Sequence, residues 1–371
     1  MAVYIHNSNC ISPLGFTTKD NFQALLSGKS AIEKVFINDA IGTIYAGKIN
    51  DQLFDAHFQT IDHSFSGNRI EKLLIAALHP VIKEHPVTND SVLIFSTTKG
   101  NISALAANRL NDAFIPKTIH NINTYFRFKT EPIVVSNACV SGVMALSIAK
   151  RLIETGAFSN AFVVAADELT PFVISGFQSF QAMSNDICKP YDKNRTGINL
   201  GEAAAAVYVS NTFLANAITI AGESNINDAN HISGPSRTGE GLVLSIEKAL
   251  KEAQKTTTDI DYISAHGTAT LYNDEMEAVA FNRMQLQNIP LNSLKAYYGH
   301  TLGASGLLES IIAIESLKTN TLVPSLGFEE QGTTQSINII TKKEQKPLKT
   351  ILKTASGFGG SNSAMIFTKN R

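Results

Sequence analysis

The stretch Val134-Val-Ser-Asn-Ala-Cys-Val-Ser-Gly-Val-Met-Ala-Leu146 changes character within a few residues, from a β-branched run to a small-residue turn and then to an apolar helical pattern. It predicts a strand, an elbow carrying Cys139, and a helix. A thiol at a helix N-terminus faces free backbone amides and the positive end of the helix dipole, which favour the thiolate, the nucleophilic form. Such a cysteine can carry a covalent acyl group. Read alone, Cys139 is equally a small side chain in a packed core, where unpaired cysteines commonly lie.

A second segment echoes the first. Ile133–Ser136, Cys139, Gly142 and the helix-patterned Val143–Ile153 match Leu294–Tyr298, His300, Gly303 and the helix-patterned Leu307–Leu317. Each reads as a short strand, a reactive residue, a glycine three positions later, and apolar residues at spacings of three and four. An ancient duplication explains the echo, and so does chance similarity between two strand-turn-helix units. Elsewhere Phe22–Leu26 and Ile70–Ile82 read as helices, and Ser91–Ser96, Ala161–Ala166, Ala203–Val209 and Ala364–Thr368 as strands. The alternation predicts a layered α/β protein without a linker between its halves. Gly357-Phe-Gly-Gly-Ser-Asn362 predicts a tight loop before the last strand.

With 371 residues, 44% hydrophobic and 17% charged, the chain can bury a deep core. A net charge of −1 gives no electrostatic case for nucleic acid or an anionic membrane. No membrane span or signal peptide is evident, so a cytoplasmic enzyme is the expectation. Cys10, Cys139 and Cys188 lack metal-ligand spacing, which argues against a disulfide scaffold and a zinc site.

Two histidines sharpen the chemistry. His266 ends the strand-like run Tyr262–Ala265 before a small-residue turn, and His300 precedes a helix. Either alone suits a hydrogen-bonded structural histidine. Together with the cysteine elbow and the glycine loop, they form a set far more specific than its members.

At these motifs the chain resembles the condensing enzymes of the thiolase superfamily, and most closely the elongating, Cys-His-His type of β-ketoacyl-acyl-carrier-protein synthase. The resemblance runs through Ser12-Pro-Leu-Gly15, Leu25-Leu-Ser-Gly-Lys-Ser30, Ser96-Thr-Thr-Lys-Gly100, Asn137-Ala-Cys-Val-Ser-Gly142 and Cys188-Lys-Pro-Tyr-Asp192 with Arg195, Gly197 and Gly201-Glu202. It continues through His266-Gly-Thr268 with Asn273, Asp274 and Glu277, then Lys295, Gly299-His-Thr-Leu-Gly-Ala-Ser-Gly306 with Glu309, and the Gly-Phe-Gly-Gly loop.

The resemblance implies a thiolase-like fold, two duplicated α/β halves packed as a layered α-β-α-β-α body, with residues 1–210 carrying the nucleophile and 211–371 the two histidines and the glycine loop. It implies a decarboxylative Claisen condensation in fatty-acid, polyketide or aryl-polyene-type biosynthesis. Cys139 would take the acyl chain, and its amide with that of Phe358 would form the oxyanion hole. His266 and His300 would hold the malonyl thioester carbonyl and stabilise the enolate. Lys295 and Glu309 would support the site, and Phe358 would gate it. No metal or other cofactor is implied, because substrates arrive on the phosphopantetheine arm of an acyl carrier protein. A homodimer or a heterodimer with a related ketosynthase-like chain is expected, paired beside the run Ile133–Val135, which reads as buried. Asp192, Arg195, Glu202, Asp274 and Glu277 read as framework.

The chain is shorter than the family's usual length, chiefly between Gly47 and Asn137, and carries Val140 where alanine is more usual. Three rivals come from related folds. A catabolic thiolase would carry a second cysteine where Phe358 stands, and a starter-type condensing enzyme would carry asparagine at His300. A chain-length-factor-like subunit would have lost the reactive residues that this chain retains.

Overall fold

The computed structural model describes residues 1–228 and 234–370. Ten strands form the main sheet: β1 (Tyr4–Ile11), β2 (Ser91–Ser96), β3 (Ile133–Val135), β4 (Asn160–Asp167), β5 (Ala203–Ser210), β6 (Ile218–Asn227), β7 (Tyr262–Ser264), β8 (Leu291–Asn292), β9 (Thr350–Gly357) and β10 (Ser361–Lys369). Their order is β3-β2-β4-β5-β1-β6-β10-β9-β7-β8. Each set of five strands is laid out alike, and the second set is the mirror image in order of the first. The sets join where β1 meets β6 in antiparallel register, Tyr4 opposite Thr219 and Ile5 opposite Ile218.

Strands β2, β4 and β5 are buried on both faces, so their apolar residues run nearly unbroken rather than alternating with polar ones. In the first set, Val92, Ile94, Val163 and Val207 face a central core, while Leu93, Phe95, Phe162 and Ala206 face an outer one. In the second set, Ile351 and Phe367 face the central core, and Leu352 and Ile366 the opposite outer layer. Helix α1 (Arg69–Glu84) covers the first outer face and α3 (Glu240–Glu252) the second. Between the sets lie α2 (Ser141–Glu154) and α5 (Ser305–Thr319). Helix α5 is buried at nearly every position from Ser305 to Leu317, as a helix with structure on all sides must be. Helix α4 (Leu271–Arg283) lies against α3. Helix, sheet, paired helices, sheet and helix give the α-β-α-β-α layering.

Two expectations are corrected. Leu294–Tyr298 is not a strand: the strand is β8, a few residues earlier, and Lys295–Tyr298 forms one helical turn closed by Gly299 at φ +73°. Only β8 reaches a partner, β7, so the apolar residues after it pack as helix instead. Nor is β3 a buried run, because it is the sheet's edge and Val134 is exposed in the single chain.

Candidate active site

The strand β3 leads into a bent elbow. Ala138 takes φ +45°, a left-handed conformation that costs a side-chain-bearing residue energy and persists only where its surroundings enforce it. Ser141 supplies part of that enforcement: its hydroxyl donates to the Ala138 carbonyl at 2.6 Å and accepts from the Asn137 amide at 2.8 Å. Ser361 donates to Asn137 Oδ1 at 2.9 Å and so ties the elbow to the glycine loop. Cys139 is thereby held at the start of α2.

His300 is fixed from a different direction. Its amide donates to the Asn199 carbonyl at 2.7 Å and its carbonyl accepts from the Gly201 amide at 3.0 Å. Gly201 is required there, since a Cβ would collide with the Tyr298 carbonyl. The result brings His300 Nε2 to 2.8 Å from Cys139 Sγ. His266 completes the group, its ring centroid 5.4 Å from that of His300 and nearly perpendicular to it.

Burial governs the protonation states. It pushes the Cys139 thiol up to about 11, against the Lys295 charge and the Phe358 amide, which both favour the thiolate. Burial therefore works against the thiolate that the start of α2 favours, because a buried thiolate loses its hydration. Burial and then Lys295 hold His300 down at about 3, with Glu309 opposing. His266 is also held well below the ordinary range, by burial first and then by Lys295, His300 and Lys353. Burial thus favours a neutral thiol facing a neutral imidazole over the ion pair.

Behind the histidines lie buried charges. Lys295 Nζ pairs with Glu309 Oε1 and bonds Ser305 Oγ at 2.9 Å. Burial raises and the two lysines lower the Glu309 carboxyl, which settles at about 2. Glu277 accepts from the amides of His266 and Gly267 at 2.9 and 2.7 Å, and Asp274 from those of Thr268 and Tyr191 at 2.8 and 2.7 Å. These two carboxylates shape the His266 turn, as their framework reading anticipates.

The group opens into a cavity of about 490 Å³ lined by Phe177, Phe180, Ile198, Thr268, Thr270 and Phe358 among others. Phe358 stacks on Phe177 at 5.8 Å and leans on Phe180 at 5.2 Å, while Phe177 meets the edge of His300 at 6.4 Å. Sequence reasoning found Phe358 but missed Phe177, Phe180, Lys353 and Asp167. Asp167 binds Thr97, Thr98 and the Gly303 amide, joining the β2 loop to the His300 segment. A single charge in a strand that holds no other was the available signal for Lys353 and Asp167; the two phenylalanines had none.

The donor atoms of Cys139, His266 and His300 lie within 4.8 Å of one another. Two ligands of one tetrahedral zinc would stand about 3.5 Å apart, so the sulfur and nitrogen as placed form a hydrogen bond rather than a ligand pair.

Comparison with known proteins identifies the family. Residues 2–212 match the model of the β-ketoacyl synthase N-terminal domain and residues 217–329 that of its C-terminal domain. The chain belongs to the β-ketoacyl synthase family. Among this synthase's relatives, 3-oxoacyl-[acyl-carrier-protein] synthase 2 of Coxiella burnetii is 28% identical, aligned over 99% of this chain and 98% of the relative. The tetracenomycin polyketide synthase ketoacyl synthase alpha subunit of Streptomyces glaucescens is 30% identical over 71% of this chain and 66% of its own. The solved ketosynthase ApeO, in complex with its chain length factor ApeC, from Xenorhabdus doucetiae, superposes with a TM-score of 0.85 at 25% identity, covering 99% and 98% of the two chains. No helix among the synthase's described residues is long and apolar enough to cross a membrane.

Proposed function

We propose that this synthase extends an acyl chain by two carbons through decarboxylative Claisen condensation, with Cys139, His266 and His300 as its catalytic residues. The contact of Cys139 Sγ with His300 Nε2 at 2.8 Å carries the reading. His300 takes the thiol proton as sulfur attacks the acyl thioester, and the departing carrier thiol takes a proton in turn. The amides of Cys139 and Phe358 receive the charge that develops on the carbonyl oxygen. Malonyl thioester then loses carbon dioxide as its C–C bond breaks, leaving an enolate that the imidazole N–H groups stabilise. Its carbon attacks the acyl group, and the Cys139 thiolate leaves and is reprotonated. Lys295 and Glu309 support the histidines.

The substrates come on the phosphopantetheine arm of an acyl carrier protein, in fatty-acid, polyketide or aryl-polyene-type synthesis, in the cytoplasm. Residues 1–210 and 211–371 form the two duplicated halves, a division supported by the mirrored strand order. A dimer forms along the exposed edge β3, with a second copy or a related ketosynthase-like chain. Mass spectrometry after incubation with acyl-carrier thioesters tests the reading. Acyl groups on Cys139 are expected, and acylation confined to Cys10 or Cys188 overturns it.

A further inference from the structure

Glu309 lies at the centre of a buried chain of charges that extends past Lys295. Its second oxygen, Oε2, accepts from Lys353 Nζ at 2.7 Å. Lys353 is wholly buried, and its ammonium also donates to the Thr354 carbonyl at 2.7 Å and the Ser264 carbonyl at 3.3 Å. An ammonium has three protons. Each of them meets an oxygen.

The three oxygens come from three parts of the site. Glu309 is on α5, the helix that follows His300. Ser264 ends β7, two residues before His266. Thr354 lies on β9, four residues before Phe358. We propose that Lys353 is a positioning residue for condensation, a tethered cation that locks Glu309, and through it Lys295 and both histidine segments, behind Cys139. This rests on the catalytic reading given above.

Two cations share one carboxylate here, an arrangement that ion pairing alone does not require. Burial lowers the proton affinity of Lys353, and Glu309 opposes that. The lysine charge also helps to keep His266 neutral, so that it meets the enolate as a hydrogen-bond donor rather than as an acid that would quench it. Truncation would leave two carbonyls and a carboxylate oxygen facing a dry hole, each without its donor. Glu309 could then turn wholly to Lys295 and shift the lysine that borders His300. An ammonium ion that enters the hole would restore the three N–H donors, which a bare metal cation lacks, and this separates the hydrogen-bonded charge from simple packing.

The test uses the full chain with Lys353→Ala and the near-isosteric Lys353→Met. Carbon dioxide release from malonyl-carrier thioester and acylation of Cys139 are measured in sodium, ammonium, methylammonium and tetramethylammonium chloride at equal ionic strength. In sodium, both variants should release carbon dioxide about tenfold more slowly or worse, with a smaller loss in acylation. Ammonium or methylammonium should restore Lys353→Ala in a saturable way, whereas tetramethylammonium, too large for the hole, should not. Lys353→Met, whose side chain fills the hole, should stay impaired in every salt. Unimpaired Lys353→Met would overturn the proposal, as would a Lys353→Ala chain whose folding and activity are no better in ammonium. Wild-type enzyme that releases no carbon dioxide would instead overturn the catalytic reading beneath it.

Discussion

Gly142 and Gly306 face each other where α2 and α5 cross: a Cβ on the first would stand 2.5 Å from the Leu307 amide nitrogen, and one on the second 2.9 Å from that of Val143. Only hydrogen at both positions lets the two central helices approach this closely. The crossing lies just beyond Cys139 and His300, so it sets the distance between sulfur and imidazole. Gly142→Ala is expected to destabilise the protein by about 1–3 kcal/mol through overpacking. It should also slow acylation more than the fall in melting temperature explains. Thermal melting and acyl-enzyme formation on one preparation check this, and a stable variant with wild-type acylation would show that the helices can part without disturbing the site.

The neutral thiol and imidazole have a visible consequence in the reactivity of Cys139. With the thiol pushed up to about 11, the thiolate fraction should rise about tenfold per pH unit between pH 7 and 9. The rate of alkylation by iodoacetamide, followed on the Cys139 peptide, should climb in step. A rate already flat at pH 6 would mean that the resting enzyme holds a thiolate and an imidazolium.

Much of this arrangement was legible beforehand, because the strand-to-helix elbow and the two histidine turns leave local marks: small residues at forced bends and apolar periodicity beyond them. The echo between the Cys139 and His300 segments corresponds to matching places in the mirrored strand order, β3 before α2 and β8 before α5. What escaped the reading is non-local. Leu294–Tyr298 has the apolar character of a strand, but only β8 finds a neighbour to pair with. Phe177 and Phe180 become site residues because a loop far along the chain delivers Phe358 to them. Lys353 is marked as the one charge within Thr350–Gly357, but its partner Glu309 arrives from another layer and leaves no local trace.

His300 also links the site to acid stability. Unfolded, its imidazole takes a proton near pH 6.5, whereas in the fold burial and Lys295 delay this to about 3. Between those values the unfolded chain binds the extra proton, so stability falls as pH falls through that window. Asp274 has the opposite sign: burial raises it to about 7, and its share is lost as pH rises. Comparing wild type with His300→Gln cancels Asp274 and all other common groups. The variant should lose fewer degrees of melting temperature between pH 7 and 4, and parallel curves would mean that folded His300 protonates as readily as in water.

His266 stands apart from the thiol contact, and that separates the half-reactions. His266→Ala should leave acylation of Cys139 within a few-fold of wild type, because His300 keeps its place on the sulfur. It should reduce carbon dioxide release by about a hundredfold or more, the usual effect of removing a donor to a developing oxyanion. Quench-flow acylation and carbon dioxide release measured separately decide the matter. Equal loss in both would make His266 part of the thiol machinery.

Phe358 combines two properties that seldom meet in one residue. Its amide serves Cys139 while its side chain, about one third exposed, rests against Phe177 and Phe180 across the cavity mouth. Gly359, at φ +85° with open space around it, is the loop's free joint, whereas Gly360, at φ +79°, is held by the Asp228 amide, which donates to its carbonyl at 2.7 Å. If the ring swings while the hairpin holds, as the family resemblance implies, it would close the malonyl side until Cys139 is acylated. Losing its aromatic contacts should cost only about 1–3 kcal/mol, small enough for Phe358→Ala to remain folded with its backbone donor in place. That variant should condense more slowly and bind malonyl thioester before acylation, whereas wild type with a working gate should bind it only after Cys139 is acylated. Binding of malonyl-carrier thioester to acylated and unacylated enzyme, measured beside thermal melting, distinguishes the possibilities: a large fall in melting temperature with the order of binding unchanged would make Phe358 a packing residue and remove the gate from the mechanism.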